Sequence, residues 1–138
     1  MSVSDTESTL RDYMDALLGG GDFAAFFSED VRWTTMETGE EVKGREAVRD
    51  YIVALHTQLF EAAPELRSLV VGDGVASVEA VFVGKHVAEF AGVPPTGAQV
   101  RLPYAEFYDV DAGSITALRA YFPIAVLLQT LQAAQGDG

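Results

Sequence analysis

The sequence contains no cysteine, and it has few basic residues. The first absence excludes disulfides, thiolate catalysis and cysteine-based zinc or iron sites. Nine lysines and arginines stand against 21 acidic residues, which gives a formal net charge of −12. A chain this acidic would repel a phosphate backbone, and the same argument disfavours an anionic membrane surface. We therefore expect neither nucleic acid nor a membrane among its partners.

Long hydrophobic runs are also lacking, since none approaches the roughly 20 apolar residues that a spanning helix needs. Residues 1–9 are polar and acidic and lack the apolar segment of a secretory signal, so a cytoplasmic location is expected. The two histidines are not spaced as neighbouring ligands on a helix, and no carboxylate cluster converges on them. We accordingly expect no metal and no cofactor.

The overall composition is that of a globular protein. Apolar residues make up 49% and charged residues 22% of the 138 residues, and no repeat or linker interrupts the chain. A chain of this length can bury most of its apolar surface by itself. The sequence therefore predicts a single domain over residues 1–138.

Helical periodicity is confined to the N-terminal half and to the C-terminal end. Ser4 and Glu7 form a capping-box pair ahead of an apolar stripe that includes Tyr13, which predicts a first helix. A second helix is predicted over residues 45–62, with Pro64 closing it. A short apolar helix is predicted over residues 125–134.

The rest of the chain is typical of antiparallel strands separated by turn residues. Gly84, inside a strand otherwise rich in β-branched residues, predicts a bulge or bend that would curve the sheet. Helices followed by a run of long strands indicate an α+β fold with helices on one face of a sheet. The predicted strands cover residues 31–37, 66–71, 75–90, 99–110 and 115–122.

One segment resembles a family signature. Residues 84–97 read GKHVAEFAGVPPTG, similar to the G-T-H-x-G-x-F-x-G-x-P-P-T-G motif of the SnoaL-like polyketide cyclases. The likeness continues through residues 103–108, 113–116 and 120–122. It implies the cone-shaped nuclear-transport-factor-2-like fold, in which a curved antiparallel sheet and its helices enclose a pocket. That fold is shared with ketosteroid isomerases and is commonly dimeric, so a homodimer is expected.

The resemblance also implies a function. It predicts cyclase, isomerase or dehydratase-type acid–base chemistry on a hydrophobic, polyketide-like substrate. The aspartate that serves as acid/base in the polyketide cyclases corresponds to Ala120, which cannot transfer a proton, and the isomerase base falls near Thr35. A non-catalytic module that binds a small hydrophobic ligand or a partner chain is therefore the alternative. Ring opening of the epoxide-hydrolase type is a minor one.

Glu106 is the first candidate for the chemistry. Strand alternation puts Tyr104, Glu106 and Tyr108 on one face, and a three-residue hairpin loop would set Glu106 opposite Leu118. Apolar surroundings would raise the pKa of this carboxyl and make it a general acid. On the resemblance, the oxyanion-hole aspartic acid of ketosteroid isomerases corresponds to this position. In the alternative, this face points to solvent or to a dimer partner.

His86 and Tyr13 complete the predicted catalytic set. The histidine matches the family motif, and its ordinary pKa suits proton transfer at neutral pH. It could equally hold the following Pro-Pro loop by hydrogen bonds. Tyr13 is similar in place to the hydrogen-bond donor of the isomerases, but a buried tyrosine more often serves packing. His56, beside the apolar stripe of the second helix, is interpreted as a half-buried surface residue.

The predicted substrate contacts come from strand faces. Trp33 points the same way as Thr35. Glu79 is a carboxylate among valines, and burying its charge would be costly without a partner or a function, so it is predicted to reach the cavity. Arg119 could neutralise a carboxylate as a structural ion pair. The six predicted substrate-binding residues are Trp33, Glu79, Tyr104, Tyr108, Leu118 and Phe122.

Overall fold

The computed structural model describes residues 2–136, within which three α-helices pack on one face of a six-stranded sheet. None of these helices has the length and apolarity to cross a membrane. A single π-helical turn, Ala54–Gln58, follows the second helix. The helices are α1 (Val3–Leu18), α2 (Arg45–Val53) and α3 (Ile124–Gly136), and the strands are β1 (Phe27–Thr35), β2 (Glu40–Lys43), β3 (Phe60–Val71), β4 (Val75–His86), β5 (Gln99–Asp111) and β6 (Ser114–Tyr121).

The sheet is curved and open, with strand order β2-β1-β6-β5-β4-β3. The strands from β3 to β6 form consecutive antiparallel pairs, as the sequence predicts. β1 pairs in parallel with β6, and the short β2 continues the sheet beyond it. The sequence did not predict these last two pairings, but the α+β class is confirmed.

α1 begins two residues earlier than predicted. The Ser2 hydroxyl accepts a hydrogen bond from the Asp5 amide at 3.1 Å, and the Ser2 amide donates to the Asp5 carboxylate at 3.2 Å. The capping box is therefore Ser2 with Asp5, and the predicted pair of Ser4 and Glu7 lies inside the helix. Aspartate at this position returns the same bond that glutamate usually makes.

α2 is shorter than the predicted helix over residues 45–62. It passes into the π turn at Ala54, and the chain is already a strand by Phe60. Pro64 lies within β3 and pairs with Phe82, so it does not close the helix. Because β3 is the last strand of the sheet, a proline there costs no bond to a further strand.

The predicted bulge at Gly84 is also wrong. Gly84 pairs regularly with Ala62, and a Cβ atom built on it would lie 2.5 Å from the Ala62 Cβ. The glycine is there because the two strands approach closely. The irregularity lies further along β3, where the register shifts between Leu66 and Ser68, and such a bulge bends the strand.

The hairpin of β5 and β6 has a tighter turn than predicted. Ala112 and Gly113 both take positive φ, at 50° and 80°, which forms a two-residue turn of the kind that matches strand twist. A further shift of register follows in the same hairpin. Glu106 consequently pairs with Ala120 and not with Leu118. Because the displacement is two residues, every side chain keeps its predicted face.

The buried side chains form two clusters on the inner face of the sheet. The larger one packs under α1 and α2 around Leu10, Phe27 and Leu118. The smaller one packs under α3 around Phe82 and Leu131. The space between these two clusters holds the site described next.

Candidate functional site

A cavity of about 90 Å³ lies between the two core clusters. Its walls come from the end of α2, the π turn, five strands and the beginning of α3, and seven of its lining residues are aromatic. The lining residues are Trp33, Thr35, Tyr51, Leu55, His56, Phe60, Phe82, Phe90, Tyr104, Glu106, Ala120, Phe122, Ile124 and Leu127.

Glu106 is the only carboxylic acid among these lining residues, and its side chain is 9% exposed. The Tyr108 hydroxyl donates a hydrogen bond to its carboxylate. Burial raises the pKa of Glu106 to about 7, although the bond from Tyr108 acts in the opposite direction. The carboxyl group can therefore exchange its proton near neutral pH.

Three tyrosines surround this carboxyl group, and all three were predicted site residues. Tyr104 lines the cavity, whereas Tyr108 lies behind Glu106. The Tyr13 ring packs edge-on against the Tyr108 ring with centroids 6.0 Å apart. Burial raises the pKa of each phenol, and the Glu106 charge adds to the shift, so the three remain hydrogen-bond donors. The structure brings Tyr13 close to the carboxyl group but not to the cavity wall.

Trp33 and Thr35 line the cavity from β1, where Thr35 pairs with Ala120 of β6. The indole of Trp33 donates a hydrogen bond of 3.0 Å to the Thr35 hydroxyl, which lies 3.5 Å from the Tyr51 hydroxyl. This places two hydroxyl groups in an otherwise aromatic wall. Thr35 stands near the place of the isomerase base on the resemblance, but a hydroxyl is a hydrogen-bonding group there and not a base.

His56 is half-buried, as predicted, and it also lines the cavity, which the sequence did not predict. It sits in the π turn, with its ring centroid 6.3 Å from that of Phe82. Burial lowers the pKa of the imidazole. The histidine lies four residues after the buried Ile52, a spacing that points to the same helix face. That spacing was the signal that could have found it.

Four aromatic residues of the cavity wall were not among the predicted site residues. Tyr51 lies in α2, and Phe82 alternates with the buried Val78 and Ala80 in β4. The alternation could have identified Phe82. Phe60 lines the cavity because the helix ends before it and β3 begins there, and Phe90 lies in a loop. Neither position is revealed by hydrophobic periodicity.

Three predicted substrate contacts lie outside the cavity wall, and one of them is Tyr108, which lies behind Glu106. Glu79 is exposed on the outer face of the sheet, where its carboxylate accepts a bond from the Ser68 hydroxyl at 3.3 Å. Its neighbours Val78 and Ala80 occupy the inward positions of β4, so alternation turns Glu79 outward. Leu118 is fully buried in the larger core cluster and lies opposite Tyr108, outside the cavity wall. Phe122 does line the cavity.

His86 is fully buried but does not line the cavity. The Thr96 amide donates to its Nδ1 atom at 3.2 Å, and the Thr96 hydroxyl lies 2.9 Å from the same atom. The ring proton therefore resides on Nε2, a buried atom that has no hydrogen-bond partner in the described part of the chain. These contacts support the structural alternative, and a catalytic role for His86 stays a prediction.

Arg119 pairs with Asp109 through two bonds of 2.9 and 3.1 Å on the outer face. With Glu79 also outside, the two groups that could have joined Glu106 in water activation for epoxide opening are absent from the cavity. Among residues 2–136, no group of three or more metal-binding side chains is close enough to hold an ion.

Helices that close a cavity over the inner face of a curved, open sheet define the nuclear-transport-factor-2-like class of α+β protein. The chain belongs to the SnoaL-like family, whose domain model matches residues 10–118. The predicted fold and family are thereby confirmed. No curated protein matches the chain significantly in sequence.

Solved structures share this fold over nearly the whole chain. A protein from Jannaschia sp. CCS1, provisionally named a SnoaL-like polyketide cyclase, is 18% identical with a TM-score of 0.83, covering 94% of this chain and 93% of its own. A Xanthomonas campestris protein, provisionally named a polyketide cyclase, is 22% identical with a TM-score of 0.79, covering 94% and 98%. A Kribbella flavida protein, provisionally named a ketosteroid isomerase, is 22% identical with a TM-score of 0.67, covering 88% and 79%. At these identities the likeness shows the fold alone.

Proposed function

We propose that the chain is an enzyme that binds a small hydrophobic carbonyl compound in the cavity and promotes its enolisation, with Glu106 as the acid. The observation that carries this proposal is the carboxyl group of Glu106, which lies among aromatic side chains and whose pKa is raised by burial to about 7. Cyclisation, isomerisation and dehydration of polyketide-like molecules all pass through enols or enolates, so this chemistry serves each of them.

The acid acts through the oxygen of the substrate. The protonated carboxyl of Glu106 donates a hydrogen bond to the carbonyl oxygen and strengthens it as negative charge develops there. Tyr104, which also faces the cavity, is a candidate second donor because its phenol stays protonated. The aromatic walls exclude water, and each such bond is therefore stronger than it would be in solution.

The nature of the walls supports an apolar substrate. Seven aromatic rings surround about 90 Å³, while the polar groups are few and converge from different elements. Such a combination is typical of small-molecule sites, although a volume this small accepts only a few rigid heavy atoms without movement of the walls. A longer substrate would require α3, which contributes Ile124 and Leu127, to move outward.

A non-catalytic ligand-binding module is the second candidate. Ala120 supports it, because the acid/base aspartate of the polyketide cyclases corresponds to this position on the sequence resemblance. A binding module would use the same cavity and the same Glu106 hydrogen bond, but it would give no turnover. Turnover therefore separates the two candidates.

The test compares the wild type with Glu106→Gln on a panel of poly-β-ketones, β,γ-unsaturated ketones and epoxides. Glutamine keeps the shape but cannot donate a proton, so kcat/KM is expected to fall on the order of 10²-fold. Glu61→Gln, an exposed carboxylate on β3, is the matched control and should leave kcat/KM unchanged. Undiminished turnover in Glu106→Gln would contradict Glu106 as the acid. Saturable binding without turnover would favour the binding module.

We also propose that the chain forms a homodimer through the outer face of the sheet. Phe107 and Tyr121 are 41% and 49% exposed there, and their rings contact each other with centroids 5.6 Å apart. Exposed aromatic pairs of this kind are enriched at protein interfaces. The bidentate pair of Arg119 and Asp109 lies on the same face and would provide polar contacts around them.

A further inference from the structure

The π turn at the end of α2 gives the cavity a second group that can exchange a proton. In this turn the Leu59 amide bonds to the Ala54 carbonyl, five residues back, at 2.8 Å. Single π turns in helices occur frequently at functional sites. His56 lies in the middle of this turn.

His56 stands between two spaces. On one side it lines the inner cavity that also contains Glu106. On the other it lines an outer groove of about 360 Å³ between the C-terminal end of α1 and the start of β3, alongside Leu17 and Pro64. A molecule bound in the cavity would therefore lie against His56, and the groove offers a route by which water could exchange the imidazole proton.

In the described part of the chain, the imidazole of His56 makes no polar contact that would prevent it from accepting a proton. No hydrogen bond or ion pair joins its ring to another residue within 2–136, and its main ring contact is with Phe82. The titratable groups that share its cavity are Tyr51, Tyr104 and Glu106. Burial lowers the imidazole pKa, so the ring is neutral near neutral pH and can accept a proton.

We propose that His56 is the general base that acts with Glu106 in this cavity. Because the cavity encloses only about 90 Å³, a ligand that fills it contacts both groups. The inference rests on the proposed function and adds the residue that removes the proton from carbon.

The step is balanced without a further reactant. An α C–H bond of the ketone breaks, its proton goes to the free ring nitrogen of His56, and the electron pair moves to the carbonyl oxygen. Glu106 stabilises that oxygen by its hydrogen bond. The imidazolium then returns the proton to the carbon, either at the same position or at the end of a conjugated system, and the enzyme is regenerated.

The test measures exchange of α protons of cyclopentanone for solvent deuterium by NMR, a reaction that needs only the base and the oxyanion site. The wild type is expected to accelerate exchange, and His56→Gln to reduce it on the order of 10²-fold. Binding of 4-nitrophenol, a probe of the Glu106 hydrogen bond, reports whether each variant still forms the cavity. His56→Phe, which keeps an apolar ring, serves as a second variant if Gln perturbs folding.

The two proposals fail differently. Exchange in the wild type that both His56 variants leave intact would overturn the role of His56 while retaining the proposed function. A wild type without exchange on cyclopentanone would overturn the proposed function and this inference together. In the intact wild type, 4-nitrophenol should also shift the imidazole NMR signals of His56 but not those of His86, the other histidine. An unchanged His56 signal at saturation would contradict its place in the site.

Discussion

Glu106 on β5 pairs directly with Ala120 on β6, and both side chains line the cavity. Directly opposed residues of an antiparallel pair have Cβ atoms about 5 Å apart. On the resemblance, Ala120 stands where the polyketide cyclases have their acid/base aspartate. The cavity wall thus contains one carboxyl group, that of Glu106, on the strand next to Ala120.

The first prediction concerns stability and pH. The folded-state pKa of Glu106, about 7, lies above its usual value of 4.5, so its contribution to stability is full below about pH 4.5 and is lost as the pH rises to about 7. Glu106→Gln removes this dependence. The stability of the variant relative to the wild type should increase by up to about 3 kcal/mol between about pH 4.5 and 8. Urea unfolding at several pH values measures the difference, and a constant difference would show that Glu106 titrates normally.

The second prediction concerns a second carboxyl group in the cavity. Ala120→Asp would place it opposite Glu106, and two carboxyls this close cannot both ionise readily. One of the pair should then titrate above pH 7, and the variant should be about 2 kcal/mol less stable than Ala120→Asn at about pH 8. The Asn variant controls for size. Carboxyl carbon NMR gives the titration, and two ordinary carboxyl pKa values would contradict the arrangement.

The third prediction concerns the close approach of β3 and β4. Gly84→Ala would bring its Cβ atom within 2.5 Å of the Ala62 Cβ, which forces the strands apart. We expect a loss of about 1–3 kcal/mol in the free energy of unfolding. Combining it with Ala62→Gly should recover part of that loss. Thermal unfolding of the single and double variants measures both, and a fully stable Gly84→Ala would mean that the strands separate easily.

The fourth prediction separates structure from catalysis at His86. Thr96→Val removes the hydroxyl that contacts Nδ1 of His86 and accepts a bond from the Ala98 amide at 3.1 Å. The variant should lose about 1–2 kcal/mol of stability because buried partners are left unpaired. Its affinity for 4-nitrophenol and its rate of cyclopentanone exchange should be unchanged once it is folded. A selective fall in that rate would instead support catalysis by His86.

The fifth prediction concerns the proposed dimer. Phe107→Glu adds a charge at the centre of the exposed aromatic pair with Tyr121, in a chain whose net charge is already −12. Light scattering should therefore detect dimers for the wild type and monomers for the variant. Val126→Glu, at an exposed position on α3, is the control and should remain dimeric. A wild type that is monomeric at high concentration would contradict the interface.

The face of Glu106 was predictable although its partner was not. Side-chain direction in a strand repeats every two residues, and the combined effect of the tight turn and the later irregularity was a shift of two. The prediction therefore placed Glu106 among the correct neighbours while naming Leu118 instead of Ala120. The predicted strand around Trp33 and Thr35 kept its inward face for the same reason.

The sequence by itself determined the order of the three α-helices and of five of the six strands, the α+β class, the family and the alternation that directs Glu106, because each of these depends on local periodicity or on a contiguous motif. Only the tertiary structure decided that Glu79 faces outward and that His56 faces the cavity. A strand pattern does not tell which of its two faces the helices will cover, and the helical spacing that puts His56 on the face of Ile52 does not tell that a cavity lies beside it. The environment of a carboxyl or an imidazole is set by elements distant in sequence, so its charge and chemistry follow from packing.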